Sequence, residues 1–192
     1  MIDVVVPVFN EAEGVKDFYN RIKKVPFDAN IIFIDNASTD NTIEIIESFK
    51  DVKIIKHDKN EGYGASLRDG INSSNNDIIL IIDADCEYPP EAIPQILDKM
   101  QTSDVVYTSR FLDNKNDDMA FLKKTGNIII SGVFNFLFKQ NVTDLYTGCK
   151  AFKRSAIEGI VFKRNGFESV LEMAVTFSRK GMKIDEASVE FT

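Results

Sequence analysis

Five short runs rich in valine and isoleucine recur through the first part of the chain: residues 2–8 (IDVVVPV), 29–35 (ANIIFID), 52–57 (VKIIKH), 77–85 (DIILIIDAD) and 104–109 (DVVYTS). Each is short and β-branched, and near-continuous apolarity suits strands covered on both faces. The segments between them, EGVKDFYNRIKKV, TIEIIESF, GASLRDGINSS and EAIPQILDKM, space their apolar residues as helices do. Strict alternation of this kind predicts an α/β fold, a mostly parallel sheet with helices on both faces.

In open sheets of this kind, ligands bind beyond the carboxyl ends of the strands. Those ends read PVFNE, DNASTD, HDKNEGYG, DADCEYPPE and SRF, so four deliver carboxylates or amides to one edge and the fifth delivers an arginine. After residue 112 the alternation stops; LDNKNDD reads as a solvated loop and the rest is mixed, with no repeat and no linker. All 192 residues are therefore expected to form one domain.

A formal net charge of −7 argues against nucleic acid as a partner, since phosphate backbones are held by excess lysine and arginine. The two cysteines, Cys86 and Cys149, lie far apart, and the N-terminus lacks the basic start and long apolar core of a signal peptide, which predicts a cytoplasmic location. No apolar run reaches the roughly 18 residues that span a bilayer.

The sharpest motif is IIDADCEYPPE. Alternate strand residues face the same side, so Asp83 and Asp85 would present two carboxylates together. Two carboxylates about 4 Å apart repel by roughly 4 kcal/mol at an effective dielectric of about 20. A shared proton or a divalent cation relieves this, and Mg²⁺ or Mn²⁺ suits one or two carboxylates supplemented by phosphate and water. In DNASTDNT, Ser38 or Thr39 reads as the cap of a helix beginning near Asp40, which leaves Asp35 unexplained; a carboxylate there accepts a hydrogen bond from a base N–H. PVFNE repeats the arrangement: Pro7 ends the strand, and Asn10 and Glu11 open a helix. Glycines 62 and 64 before a helix allow backbone N–H groups close to a phosphate, although a turn is their default. The single histidine, His57, reads as structural or exposed.

Taken in order, VVVPVFNE, IDNASTDNT, NEGYGASLRDGI, IIDADCEYPPEAI, TSRF and DLYTGCKAFKRSA resemble family 2 glycosyltransferases of the GT-A fold, a Rossmann-like nucleotide-diphospho-sugar transferase architecture. The branch they look most like includes the dolichyl-phosphate mannose and glucose synthases. This resemblance covers nearly the whole chain. It implies that residues 1–110 bind the nucleotide sugar and 111–192 the acceptor. Pro7, Asn10, Glu11 and Asp35 would line the nucleoside pocket, with Lys59 and the Gly62/Gly64 loop nearby. Asp83 would face the nucleotide or metal, and Asp85 would be the principal metal ligand. Arg110 would lie near the acceptor or its phosphate, with Asp144, Thr147, Gly148 and Lys150 beside the acceptor site and Glu168 and Glu172 in a later Phe-Glu…Glu element.

The chain departs from that pattern in three places. Lys123 and Lys124 stand where arginines often precede the apolar helix, Cys149 takes a position often held by phenylalanine, and an Arg-x-x-Gly-x-Ser-Lys-like tail does not occur before Thr192. The resemblance implies inverting transfer of a mannose- or glucose-type sugar from a UDP- or GDP-sugar, a Mg²⁺ or Mn²⁺ ion neutralising the leaving diphosphate. A polyprenyl phosphate acceptor, with a second pKa of about 6, is already anionic and needs cations, for which Arg110, Lys123, Lys124 and Lys150 are candidates. A hydroxyl acceptor would need a base, for which Asp144, Glu168 and Glu172 are candidates. The apolar stretch from 123 to 139 suits a membrane interface, a core helix or a homodimer contact. A non-catalytic nucleotide-sugar-binding module is the rival from another class.

Overall fold

The structure, a computed structural model, describes residues 1–112 and 121–189, with side chains from residue 126 onward in the second segment. The charged stretch predicted as a loop and the side chains of Lys123 and Lys124 lie outside the described residues. All five predicted strands form: β1 (Ile2–Val8), β2 (Ala29–Asp35), β3 (Val52–Lys56), β4 (Ile78–Ile82) and β5 (Val105–Ser109). Two more, β6 (Cys149–Lys153) and β7 (Ile184–Ser188), complete one seven-stranded sheet of order β3-β2-β1-β4-β6-β5-β7. Only β6 runs antiparallel, inserted between β4 and β5. The carboxyl ends of β1 to β5 therefore share one edge.

Side-chain alternation along the strands fills two cores. Val4, Val6, Phe33, Leu80 and Ile82 pack against α1 (Val15–Ile22), α2 (Thr42–Glu47) and α4 (Ile93–Met100). Val5, Ile32, Ile34, Ile79 and Ile81 pack against α3 (Tyr63–Ser73), α5 (Phe121–Phe138) and α7 (Glu168–Arg179). A short helix, α6 (Arg154–Ile157), follows β6. Coverage of both faces explains why the strands read as unbroken apolar runs.

At the opposite edge, Asp3 is 1% exposed and accepts hydrogen bonds from the backbone N–H of Asn75 (2.6 Å) and Asn76 (2.7 Å) and from the side-chain amides of Asn30 (2.9 Å) and Asn76 (2.8 Å). Desolvation pushes its pKa up, but the hydrogen bonds outweigh it, Asn76 N–H foremost, and hold it below the ordinary carboxylate value. A lowered folded pKa adds stability that is present above the unfolded value and lost as pH falls through the folded one. Asp3→Ala is expected to cost about 3 kcal/mol at pH 7, because it strands buried donors. Urea unfolding at pH 7 and pH 3 checks this: the gap between wild type and variant should narrow at pH 3.

Helix α5 divides sharply by face. Asn127, Ser131 and Phe134 are buried, whereas Ile128, Ile129, Val133, Phe136 and Leu137 are exposed, Phe136 by 86%. No charged residue interrupts 126–138. Among the described residues no helix is long and apolar enough to cross a membrane.

Candidate active site

A cavity of about 330 Å³ opens at the carboxyl edge of β1 and β4. Of the residues predicted from sequence, Pro7, Glu11, Asp83 and Asp85 line it. So do Phe9, Asn36, Asn60, Tyr63 and Phe167, which the sequence reading did not single out. Phe9 is 43% exposed just past the end of β1.

The two aspartates do not share a strand face. β4 ends at Ile82, so Asp83 follows the strand and Asp85 is exposed in a turn, where its Oδ1 accepts the N–H of Glu87 at 3.0 Å and Cys86 takes a φ of 62°. The polar turn residues end the ladder before strand alternation can place both carboxylates. Asp83 points inward and accepts the Tyr63 hydroxyl at 2.9 Å, while the Tyr63 ring stacks on Phe167 with centroids 5.1 Å apart. Gly148 is required beside it: a Cβ there would come within 2.3 Å of Asp83 Oδ2 and 2.8 Å of the Tyr88 ring.

Burial raises the pKa of Asp83, and repulsion from Asp85 and Glu11 adds to this against the Tyr63 hydrogen bond and the attraction of Lys150. Glu11 is raised likewise, by desolvation and then by Asp85, Asp40 and Glu87. Three mutually repelling carboxylates in one cleft fit a hard divalent cation with oxygen ligands. Among the described residues no three His, Cys, Asp or Glu side chains gather closely enough to hold a metal alone, so a cation held by Asp83 and Asp85 would need further ligands from bound phosphate and water.

Lys150 corrects an expectation. Predicted as a cation for the acceptor, it is fully buried on β6, its Nζ 5.1 Å from the Tyr107 ring centroid and without a hydrogen-bond partner among the described residues. Desolvation pushes its pKa down, opposed by Asp83. Its charge acts from behind the aspartate, not on a ligand.

The tips of β1 and β2 are tied together. Asn10, at a φ of 58°, donates its N–H to Ser38 Oγ (3.0 Å) and accepts Thr39 N–H (2.8 Å), so Ser38 and Thr39 brace the neighbouring loop and do not cap α2. Asp40 accepts the N–H groups of Thr42 (3.0 Å) and Ala12 (3.2 Å) instead. Neither Asn10 nor Glu11 opens a helix, since α1 begins at Val15 after a turn closed by the Glu11 carbonyl. β1 also continues one residue past Pro7. Asp35 is 4% exposed, and its carboxylate receives the Ser38 N–H in two long contacts of 3.3 and 3.4 Å.

The glycines serve the chain's own packing. Gly62 sits at a φ of 95°, and a Cβ on Gly62 or Gly64 would meet the carbonyls of Asn165 or Arg164 at 2.4 Å. Gly64 N–H donates to Asn165 O at 2.6 Å, so this amide is not turned toward a phosphate. Lys59 is exposed nearby.

Arg110 and Asp144 form a second cluster. Asp144 is fully buried and accepts from Arg110 Nε (2.6 Å), Arg110 Nη2 (2.9 Å) and the Asn127 side-chain amide (2.7 Å). The Arg110 guanidinium lies 5.6 Å from the Tyr88 ring centroid, and Tyr88 abuts Gly148, which joins this cluster to Asp83. Glu186, which the sequence reading missed, accepts Thr143 N–H (2.8 Å) and Asp144 N–H (3.0 Å) and so fixes the loop that carries Asp144. Glu172 lies outside the cavity: its carboxylate accepts the N–H groups of Lys163 (3.0 Å) and Arg164 (3.0 Å) and holds the 163–167 loop, and Glu168 accepts Gly166 N–H. Thr147 is buried against Thr108 at 2.5 Å.

The chain is similar to known proteins over nearly all of its length. The dolichol-phosphate mannosyltransferase of Pyrococcus furiosus is 26% identical over 200 residues, covering 100% of this chain and 56% of its own. The undecaprenyl-phosphate 4-deoxy-4-formamido-L-arabinose transferase of Photorhabdus laumondii is 28% identical, covering 98% of this chain and 60% of its own. The chain thus spans little more than half the length of either relative. A crystal structure of glucosyl-3-phosphoglycerate synthase from Mycobacterium tuberculosis, with Mn²⁺, UDP and glucosyl-3-phosphoglycerate, superposes with a TM-score of 0.72 at 19% identity, covering 100% of this chain and 70% of that one. Its fold is the GT-A fold that the motif order led us to expect. Residues 3–161, which include the whole cavity edge from Pro7 to Asp85 and the Arg110–Asp144 pair, match the family model described as Glycosyl transferase family 2, and the chain belongs to that family.

Proposed function

We propose that the chain transfers a mannose- or glucose-type sugar, with inversion, from a UDP- or GDP-sugar to a polyprenyl phosphate such as dolichyl phosphate, at the cytoplasmic face of a membrane. The observation that carries this is the adjacency of a carboxylate-lined cavity to an arginine held at the tip of β5. A Mg²⁺ or Mn²⁺ ion held by Asp83 and Asp85 would supply positive charge for the leaving diphosphate. Asp35, whose two long contacts leave acceptor capacity, takes an N–H of the base, with Pro7, Asn10, Glu11 and Lys59 framing the nucleoside and Gly64 fixing the loop beside it. Arg110, oriented by Asp144, supplies positive charge to the acceptor phosphate. An anionic phosphate oxygen attacks without a general base, which agrees with Asp144 and Glu172 being engaged elsewhere.

The test incubates the chain with labelled UDP- or GDP-sugars, Mn²⁺ and dolichyl or undecaprenyl phosphate, and counts label extracted into organic solvent. One donor should label the phosphate lipid, and the corresponding lipid alcohol should stay unlabelled. Labelling of the alcohol would favour a hydroxyl acceptor, and binding without turnover in the full-length protein would favour a binding module.

The exposed apolar residues between Ile128 and Leu137 of α5 belong to the same reading, because the opposite face carries Asn127 to Asp144. The protein should sediment with vesicles containing anionic lipid, and Ile129→Asp with Phe136→Asp should remain in the supernatant. Concentration-dependent self-association without vesicle binding would make this face a homodimer contact instead.

A further inference from the structure

His57 directly follows β3, and its side chain is only 6% exposed. Its Nδ1 lies 3.0 Å from Asn36 Oδ1 and its Nε2 3.1 Å from Asp69 Oδ2 on α3. The Asn36 amide cannot be inverted: its Oδ1 also receives Glu61 N–H at 2.9 Å, and its Nδ2 donates at 3.0 Å to Asn60 Oδ1, which in turn receives Gly62 N–H at 3.0 Å. Backbone N–H groups only donate, so both amide oxygens are fixed as the acceptors they face. The imidazole therefore faces an acceptor at each ring nitrogen, a carboxylate on one side and a fixed amide oxygen on the other. With Asn60 Oδ1 turned inward, the group this residue has left for the cavity is its NH₂.

We propose that His57 is a positioning residue for the base end of the cavity. Held by Asp69, it fixes Asn36 and through it turns the Asn60 amide so that a donor meets a ring carbonyl of the nucleotide base. Uracil and guanine both carry such a carbonyl and adenine does not. The inference rests on the nucleotide-sugar reading above and adds a residue that selects among bases.

Calorimetry in Mn²⁺ with UDP, GDP, ADP and inorganic pyrophosphate, on wild type, His57→Phe, Asn60→Ala and the double variant, tests it. Wild type should bind UDP or GDP more tightly than ADP. Each single variant should weaken the preferred nucleotide about tenfold, the scale of one lost hydrogen bond, and leave pyrophosphate unchanged. The double variant should be no weaker than Asn60→Ala alone, because one residue acts through the other. Exposed Asn60 keeps the test open if His57→Phe does not fold. Equal binding of ADP, unchanged nucleotide affinity in Asn60→Ala, additive losses, or an equal loss of pyrophosphate in His57→Phe would each overturn the proposal. Wild type that binds pyrophosphate but no nucleoside diphosphate would overturn the nucleotide reading itself.

Discussion

Asp85→Ala should lower Mn²⁺-dependent nucleotide affinity by roughly 100-fold, about 2.7 kcal/mol, while the protein melts at nearly the wild-type temperature. Asp85 is exposed and its one structural bond, to Glu87 N–H, closes a surface turn, so little packing is lost. What disappears is one of two carboxylates that would hold the cation against the diphosphate. Asp83→Asn should match it in binding, since an amide oxygen is a poorer partner for a hard divalent ion than a carboxylate. Calorimetry with and without Mn²⁺ beside a thermal melt separates the outcomes. An Asp85→Ala protein that binds as wild type would remove Asp85 from the metal site; one that unfolds would make it a structural turn residue.

Asp144→Ala should act in the opposite way, on stability first. Its carboxylate is fully buried and bonded to Arg110 and Asn127, so truncation removes the buried partner of two guanidinium N–H groups and strands the buried Asn127 amide. Breaking a buried pair by removing one partner costs about 3–5 kcal/mol, enough to unfold a marginal domain. Asp144→Asn keeps the shape and one acceptor. It should fold, bind nucleotide normally and lose at least about tenfold in transfer, because Arg110 is no longer held by two charge-assisted bonds. Denaturant unfolding and the lipid-labelling assay together check this. Full transfer by Asp144→Asn would mean that Arg110 does not need its partner, and reduced nucleotide affinity would move the pair into the donor site.

The five parallel strands were legible because both of their faces are covered, which writes continuous apolarity into the sequence. β6 and β7 were not. CKAFK carries a lysine buried beneath Asp83, and IDEAS carries Asp185, bonded to Ser103, and Glu186, bonded to the 143–144 loop. In each case a remote partner makes a polar residue acceptable in a strand, and local pattern cannot reveal that partner. The same limit governs the site. Pro7, Glu11, Asp83 and Asp85 were legible from strand-tip chemistry, yet Tyr63 and Phe167 meet across about half the chain and Asn36 and Asn60 meet through a side-chain network. Ser38 and Thr39 suit a helix cap by sequence because helix-capping chemistry and loop-bracing chemistry use the same residue types, and Asn10, just beyond the end of β1, decides between them. The glycines at 62 and 64, for which a turn is the default, permit close approach to the 164–165 backbone, a contact that local sequence cannot reveal.

Under the proposed function, the cavity at the ends of β1 and β4 binds a nucleoside diphosphate through a metal, and calorimetric titration of UDP and of GDP into the purified chain, with and without Mn²⁺, separates the outcomes. Saturable binding of one of them only when Mn²⁺ is present is the predicted result; no binding of either, or binding indifferent to the metal, would contradict it.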